Sequence, residues 1–80
     1  MNREQVFETV KKSILEQLPV DASRVTENAK MVDDLGADSA NLMMLVMDLE
    51  AEFDLTVDDD AIGTIRTAGD IVDAIVKAKG

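Results

Sequence analysis

Several residue types that carry chemistry are missing from this 80-residue sequence. It contains no cysteine, no histidine, no tryptophan and no tyrosine. Without cysteine the chain can form no disulfide, thiolate metal site or thiol nucleophile, and without histidine it has no imidazole for acid–base catalysis. Any thiol or redox chemistry must therefore be brought in on a group from outside the chain.

Positive charge is also scarce. Lysine and arginine number 8 against 17 acidic residues, so the formal net charge is −9. Such a charge repels the backbone of nucleic acids and the surface of an anionic membrane, and we expect neither as a partner. A basic protein surface would be attracted instead.

Long apolar runs are absent as well. Charged residues interrupt the first 18 positions, so no signal-peptide core is present there, and no stretch approaches the length of a membrane span. We expect a cytoplasmic location. Eighty residues allow one domain, 1–80, whose core leaves little room for a substrate pocket, so we do not expect an enzyme.

Apolar residues recur at helical spacing in three segments. The pattern predicts helices from Arg3 to Leu18, from Ser39 to Phe53 and from Ala68 to Ala78, with one helical turn around Asp59 to Ile62. Pro19 ends the first helix, because the residue before a proline avoids the helical region. The sequence therefore predicts an all-α fold: a small four-helix bundle with three longer helices and one short helix.

The first loop, from Pro19 to Ala37, is long for a helical protein. It carries apolar residues spaced between polar ones, and we expect them to hold the loop on the core: Val20, Val25, Met31, Val32 and Leu35. Capping boxes are expected at two helix starts, where Asn2 precedes Gln5 and Thr67 precedes Asp70 by three residues.

Negative charge is concentrated between Lys30 and Arg66. That stretch holds ten of the 17 acidic residues and no basic residue. It is either an ordinary solvated surface or a docking surface for a basic partner. Charge alone does not decide between these two interpretations.

One short segment, from Asp34 to Ser39, has a pattern that points to chemistry. Gly36 can adopt a positive φ and turn the chain into the second helix, which places Asp38 and Ser39 at the helix start. A serine there can simply cap the helix. It also presents a hydroxyl where free N–H groups and the positive end of the helix dipole favour a phosphate. No basic triad partner exists in the chain, so another enzyme would have to modify Ser39.

The residues around this segment resemble those of acyl carrier proteins. Residues 32–39, Val-Asp-Asp-Leu-Gly-Ala-Asp-Ser, are similar to the attachment motif of that family. Residues 45–54 look like its second helix, residues 10–18 like its first helix, and residues 25–29 like its long loop. The resemblance spans nearly the whole chain, and the motif is specific in this context although an Asp-Ser pair alone is not.

The resemblance implies a covalent cofactor. Ser39 would receive 4′-phosphopantetheine from coenzyme A through a separate, magnesium-dependent phosphopantetheinyl transferase, and Asp38 would help that transferase hold its metal ion. The cofactor would supply the missing thiol and carry acyl groups as thioesters between enzymes of fatty-acid, lipid or polyketide-type synthesis. The carrier would be a monomer, would catalyse nothing and would hold no metal ion of its own. The acyl cleft of the family would be lined here by residues that also suit an ordinary core: Val32, Leu49, Ile65 and Ile71.

The second helix departs from the pattern usual in that family. Methionine occupies position 44 where glutamate is usual, Asn41 and Ala51 replace frequent acids, and Asp48 adds an acid. Helical spacing places Met44, Met47 and Ala51 on one exposed face, and exposed methionines form adaptable contact surfaces. We expect partner enzymes to dock on a mixed apolar and acidic surface formed by Asn41, Met44, Met47, Asp48 and Ala51. Such a surface would suit a specialised carrier, but neutral change on an exposed face explains it equally well.

Two other functions remain open. Residues 58–63 begin like a calcium-binding EF-hand loop, but position 12 of the loop is Gly69 where a bidentate glutamate is needed. Weak divalent-cation binding is therefore more plausible than a calcium switch. The other possibility is an acidic helical protein-interaction module in which Ser39 is only a helix N-cap.

Overall fold

The computed structural model describes residues 2–79, so positions 1 and 80 of the expected domain lie outside the described residues. The elements are α1 (Arg3–Gln17), a short 3-10 turn (Ala22–Arg24), α2 (Ser39–Phe53), α3 (Asp59–Gly63) and α4 (Ala68–Lys79). Within residues 2–79 the only β pairing is one isolated bridge between Lys30 and Thr67. The predicted all-α architecture, with three longer helices, one short helix and a long first loop, is confirmed.

The predicted bounds of α2 are confirmed, and the predicted C-terminal ends of the other three helices differ from the observed ends by one residue each. Leu18 is not helical: it has an extended backbone before Pro19, and its N–H donates to the Ile14 carbonyl at 2.8 Å, so α1 ends at Gln17. The other two differences are extensions, to Gly63 in α3 and Lys79 in α4. Of the three residues concerned only Leu18 is buried, and it belongs to the core although it is not helical.

Both predicted capping boxes are present. Asn2 Oδ1 accepts a hydrogen bond from the Gln5 N–H at 2.8 Å, and Gln5 Oε1 accepts one from the Asn2 N–H at 3.1 Å. At α4 the Asp70 N–H donates to Thr67 Oγ1 at 3.1 Å, and Asp70 Oδ2 accepts from the N–H groups of Arg66 and Thr67. The bond from the Arg66 N–H is the main cause that lowers the pKa of Asp70 below its ordinary value.

The core forms where three apolar helix stripes meet. Each of the long helices buries residues spaced three or four positions apart, as their periodicity requires: Val6, Val10 and Ile14 of α1, Leu45, Val46 and Leu49 of α2, and Ile71, Val72 and Ile75 of α4. Helix α1 packs against both α4 and α2. No helix within residues 2–79 is both long enough and apolar enough to cross a membrane.

The first loop is tied to the start of α4 by backbone hydrogen bonds. The Met31 N–H donates to the Arg66 carbonyl at 2.8 Å, and the Ala68 N–H donates to the Ala29 carbonyl at 3.0 Å. Of the five predicted anchors, Val25, Met31 and Leu35 are buried and Val20 is half-buried. The prediction was wrong for the fifth, Val32, which is 58% exposed because it borders a surface cavity.

Candidate functional site

A tight turn delivers the chain to the start of α2. Gly36 has φ +73°, a conformation that other L-residues rarely adopt, as its position before the helix suggested. The turn is held from inside, since the Ala37 N–H donates to the Met31 carbonyl at 2.9 Å and Asp34 Oδ2 accepts from the Lys30 N–H at 2.8 Å. The position of α2 relative to the loop is therefore set by one backbone bond and one bond to the Asp34 carboxylate.

Asp38, not Ser39, caps α2. Asp38 Oδ1 accepts a hydrogen bond from the Asn41 N–H at 2.8 Å, and Asn41 Oδ1 accepts one from the Asp38 N–H at 3.1 Å, which completes a capping box. Ser39 is the first helical residue. The alternative in which Ser39 serves only as the helix N-cap is therefore wrong.

The hydroxyl of Ser39 is exposed and uncommitted. Within residues 2–79 it takes part in none of the side-chain hydrogen bonds that hold the loop and the helix start. Because Asp38 already satisfies one N–H group of the first turn, the hydroxyl is not needed for capping. It stands at the positive end of the helix dipole, where an attached phosphate is favoured.

A surface cavity of about 660 Å³ opens beside Ser39, between the start of α2 and the connection from α3 to α4. Its apolar lining comes from Val32, Leu42, Met43, Ile62 and Ile65. Its charged lining residues are Lys30, Asp33 and Arg66. An extended group attached to Ser39 therefore has both an apolar surface and two cations within its surroundings.

The four residues named for the acyl cleft lie in two adjoining places, and their use by an acyl chain stays a prediction. Val32 and Ile65 do line the cavity beside Ser39. Leu49 and Ile71 are each only 1% exposed and line, together with Ile65, a narrow gap inside the core next to that cavity. The periodicity that marked them as inward-facing could not distinguish a cleft wall from solid packing.

The five candidate docking residues of α2 are not equally available. Met44 and Met47 are 58% and 61% exposed, and Ala51 is also exposed, as the helical spacing predicted. Asp48 is exposed, but its Oδ2 accepts a hydrogen bond from Gln17 Nε2 at 2.7 Å. Asn41 is half-buried and its amide oxygen is used by the capping box.

Met43 was missed by the sequence analysis. It is 46% exposed and lines the cavity together with Ser39. The signal was available, since residues four positions apart lie on the same side of a helix, and Met43 is four positions after Ser39.

The acidic residues that resembled a calcium loop serve local structure. Asp58 caps α3, and its Oδ1 accepts a hydrogen bond from the Asp60 N–H at 3.4 Å. In the described range, 2–79, no three acidic side chains converge in a way that could hold a metal ion.

Comparisons with known proteins agree with this site. Residues 8–75 match the family described as "Phosphopantetheine attachment site". An acyl carrier protein of Thermotoga maritima is 54% identical over 79 residues, which cover 99% of this chain and 98% of that protein. The solved structure of an acyl carrier protein from Enterococcus faecalis shares 38% identity with a TM-score of 0.80 and covers 98% of this chain and 99% of that one. An acyl carrier protein structure from Mycobacterium tuberculosis shares 33% identity with a TM-score of 0.83, over 90% of this chain and 96% of that one.

The matched region contains the turn, Asp38, Ser39 and the cavity. The group attached in this family is 4′-phosphopantetheine, its members carry acyl groups without catalysing their reactions, and fatty acid synthesis is the typical role of the bacterial ones. Their role implies interaction with a phosphopantetheinyl transferase and with acyl-handling enzymes. The carrier function is accordingly favoured over the acidic interaction module and over the cation-binding module. From the family match, the near full-length identity and the shared helical fold, this chain belongs to the acyl carrier proteins.

Proposed function

We propose that Ser39 is the residue to which 4′-phosphopantetheine is attached. The observation that carries this assignment is the exposed hydroxyl of Ser39 at the first residue of α2, beside an apolar cavity and released from capping by Asp38. The N-terminal dipole of α2 favours the phosphodiester that attachment creates. When bound, the group supplies a flexible arm whose terminal thiol carries acyl groups as thioesters.

An intact-mass measurement tests the attachment site. The purified chain is incubated with coenzyme A, magnesium and a broad-specificity phosphopantetheinyl transferase, beside the variants Ser39→Ala and Ser23→Ala. Ser23 is the matched control, because it is also an exposed serine but lies in the 3-10 turn of the first loop. We expect a gain of one phosphopantetheine in the native chain and in Ser23→Ala only. A gain in Ser39→Ala would refute the assignment.

Asp38 has a second proposed role, in the recognition of the transferase and its metal ion. Its Oδ1 is used by the cap, which leaves the other carboxylate oxygen for a metal held by the transferase. The variant Asp38→Asn separates the two roles, since asparagine is an equally good N-cap but carries no charge. We expect Asp38→Asn to fold with native stability and to be modified more slowly. Native modification kinetics in this variant would refute the role.

Partner enzymes are proposed to dock on α2 through an apolar and acidic surface. Met44 and Met47 project from the same helix as Ser39, and Ala51 extends the apolar strip away from it. Asp48 contributes negative charge beside them. Asn41 contributes its amide nitrogen, because the capping box uses its amide oxygen. A carrier with this surface would work with partner enzymes that present basic or mixed apolar docking patches, as expected of a specialised carrier.

The docking surface is tested by adding charge to it. Met44→Glu should lower the rate at which a dedicated partner enzyme loads the holo carrier, because the carboxylate must be desolvated on docking. The control is Val76→Glu on α4, since Val76 is an exposed apolar residue of another helix, 42% exposed. Equal loading of Met44→Glu and the native chain would show that Met44 has no docking role.

We further propose that residues 1–80 form one carrier domain that acts as a cytoplasmic monomer. The bacterial origin of the similar carriers supports the location. The net charge of −9, which makes copies of the chain repel each other, supports the monomer. Light scattering coupled to size-exclusion chromatography should give the mass of a single chain, and a dimer mass would refute this.

A further inference from the structure

Two basic residues that are far apart in sequence lie together at the cavity beside Ser39. Lys30 and Arg66 are the last and first basic residues on either side of the acidic stretch. Both line the cavity that Ser39 also lines. Backbone contacts between their two segments hold them there, because Lys30 forms the bridge with Thr67 and the Arg66 carbonyl accepts from the Met31 N–H at 2.8 Å.

Neither cation forms a salt bridge within residues 2–79, although the Asp70 carboxylate is near enough to Arg66 for a favourable Coulomb interaction. The two salt bridges of that range both belong to Arg3, whose partners are Glu27 and Asp73. The guanidinium of Arg66 donates only to backbone carbonyls, at 3.3 and 3.4 Å. Asp33 is the one acidic residue that lines the same cavity.

A phosphodiester on Ser39 would enter a neighbourhood that already repels it. The attached group adds one negative charge to a chain of −9, next to Asp33, Asp34 and Asp38. The N-terminal dipole of α2 offsets part of this repulsion, but its effect is confined to the first turn. Lys30 and Arg66 line the same cavity as Ser39, and their positive charges are opposite in sign to that of the phosphodiester.

We propose that Lys30 and Arg66 form a cationic contact for the phosphodiester attached to Ser39, and that they hold the prosthetic group at the cavity. The ligand is an oxyanion already tethered to the chain, so a weak contact suffices, since tethering raises its effective concentration. This inference rests on the proposed attachment of the group to Ser39.

The experiment compares the melting temperatures of the apo and holo forms of the native chain, Lys30→Gln, Arg66→Gln and the double variant. Lys77→Gln is the matched control, because it removes the same charge from the far end of α4, away from the cavity. The melting temperature of the apo form of each variant measures any loss of stability unrelated to the phosphodiester, such as the loss of the hydrogen bonds from Arg66 to backbone carbonyls. Only the holo-minus-apo difference reports the contact with the phosphodiester.

We expect each single substitution at the cavity to lower the holo-minus-apo difference by about 2–4 °C at low ionic strength, and Lys77→Gln to leave it unchanged. In 1 M sodium chloride, where the Debye length is about 3 Å, the effect should disappear. The phosphorus-31 resonance of the phosphodiester should shift in Lys30→Gln and Arg66→Gln but not in Lys77→Gln.

The possible failures are distinguishable. Intact mass first establishes whether the native chain gains the group, and no gain would overturn both the attachment and the contact. A normal gain at Ser39, with the same holo-minus-apo difference and the same phosphorus resonance in the double variant as in Lys77→Gln, would overturn the cationic contact alone.

Discussion

Replacing Gly69 with alanine should destabilise this fold, although alanine is the better helix former. Gly69 is the second residue of α4 and is buried, and its N–H donates to the Glu27 carbonyl at 2.9 Å. A β-carbon added at Gly69 would lie 2.9 Å from that same carbonyl oxygen and 3.3 Å from Glu27 Oε1. The carboxylate can move aside, but the carbonyl belongs to the backbone of the first loop. The loop and α4 must therefore separate.

Gly69→Ala has a stabilising and a destabilising contribution to the free energy of unfolding, and the destabilising one is larger. Alanine gains up to about 1 kcal/mol over glycine in a helix interior and less in a first turn. Overpacking costs about 1–3 kcal/mol, and a buried N–H that loses its acceptor costs about 1–3 kcal/mol more. The free energy of unfolding should fall by about 1–6 kcal/mol, and each 1 kcal/mol corresponds to about 4–8 °C in Tm for a domain of this size.

Thermal unfolding followed by circular dichroism measures the effect, with Gly63→Ala as the control. At Gly63, near the end of α3, an added β-carbon would meet nothing within 4 Å. We expect Gly63→Ala to melt at or above the native temperature and Gly69→Ala to melt below it. If Gly69→Ala melted at or above the native temperature, the close approach of the loop to α4 would not be a constraint.

Four further predictions concern stability. Leu45→Ala should cost about 2–5 kcal/mol in urea unfolding because Leu45 is fully buried, whereas Met47→Ala should stay within about 0.5 kcal/mol; similar losses at both sites would contradict the packing. Asp54→Gly should raise Tm, because Asp54 has a left-handed φ of 54° at the C-cap of α2 and its charge opposes the helix dipole; a lower Tm would refute this. Asp70→Asn should be less stable than the native chain at neutral pH, because the hydrogen bonds that lower the pKa of Asp70 stabilise its ionised form. This difference in stability should shrink as the pH falls below 3.8 and through the lowered pKa of the folded state. A difference independent of pH would contradict this. Arg3→Met should lower Tm more at low salt than at high salt, because Arg3 links α1 to the first loop and to α4 through exposed ion pairs; an effect independent of salt would refute the ionic contribution.

The helices could be predicted from sequence because their signals are local. The spacing of apolar residues predicted the buried faces, Pro19 predicted the end of α1, and each of the two capping boxes spans only four residues of the chain. The cap of α2 could not be assigned in this way. Asp38 and Ser39 are adjacent and both are good caps, and the choice depends on Asn41, which completes the box only when Asp38 is the cap.

The cavity could not be predicted, because it depends on how segments distant in sequence pack. Helical periodicity identified Leu49 as inward-facing and Val32 was expected to anchor the first loop, yet Leu49 is in the core and Val32 is at the surface beside Ser39. Their environments differ because the first loop reaches the α3–α4 connection through backbone bonds. No local pattern specifies that pairing.

The bonds between the first loop and the start of α4 also determine which charged side chains lie near Ser39. The chain as a whole is acidic, but backbone hydrogen bonds join the segment from Glu27 to Met31 to the segment from Arg66 to Gly69. These bonds bring the side chains of Lys30 and Arg66 to the cavity. The close approach at Gly69 is part of that attachment. If the loop and α4 separate in Gly69→Ala, Lys30 moves relative to Arg66, so the holo form should lose more stability than the apo form. An equal loss of stability in the apo and holo forms would mean that the position of the first loop does not affect the electrostatic potential at Ser39.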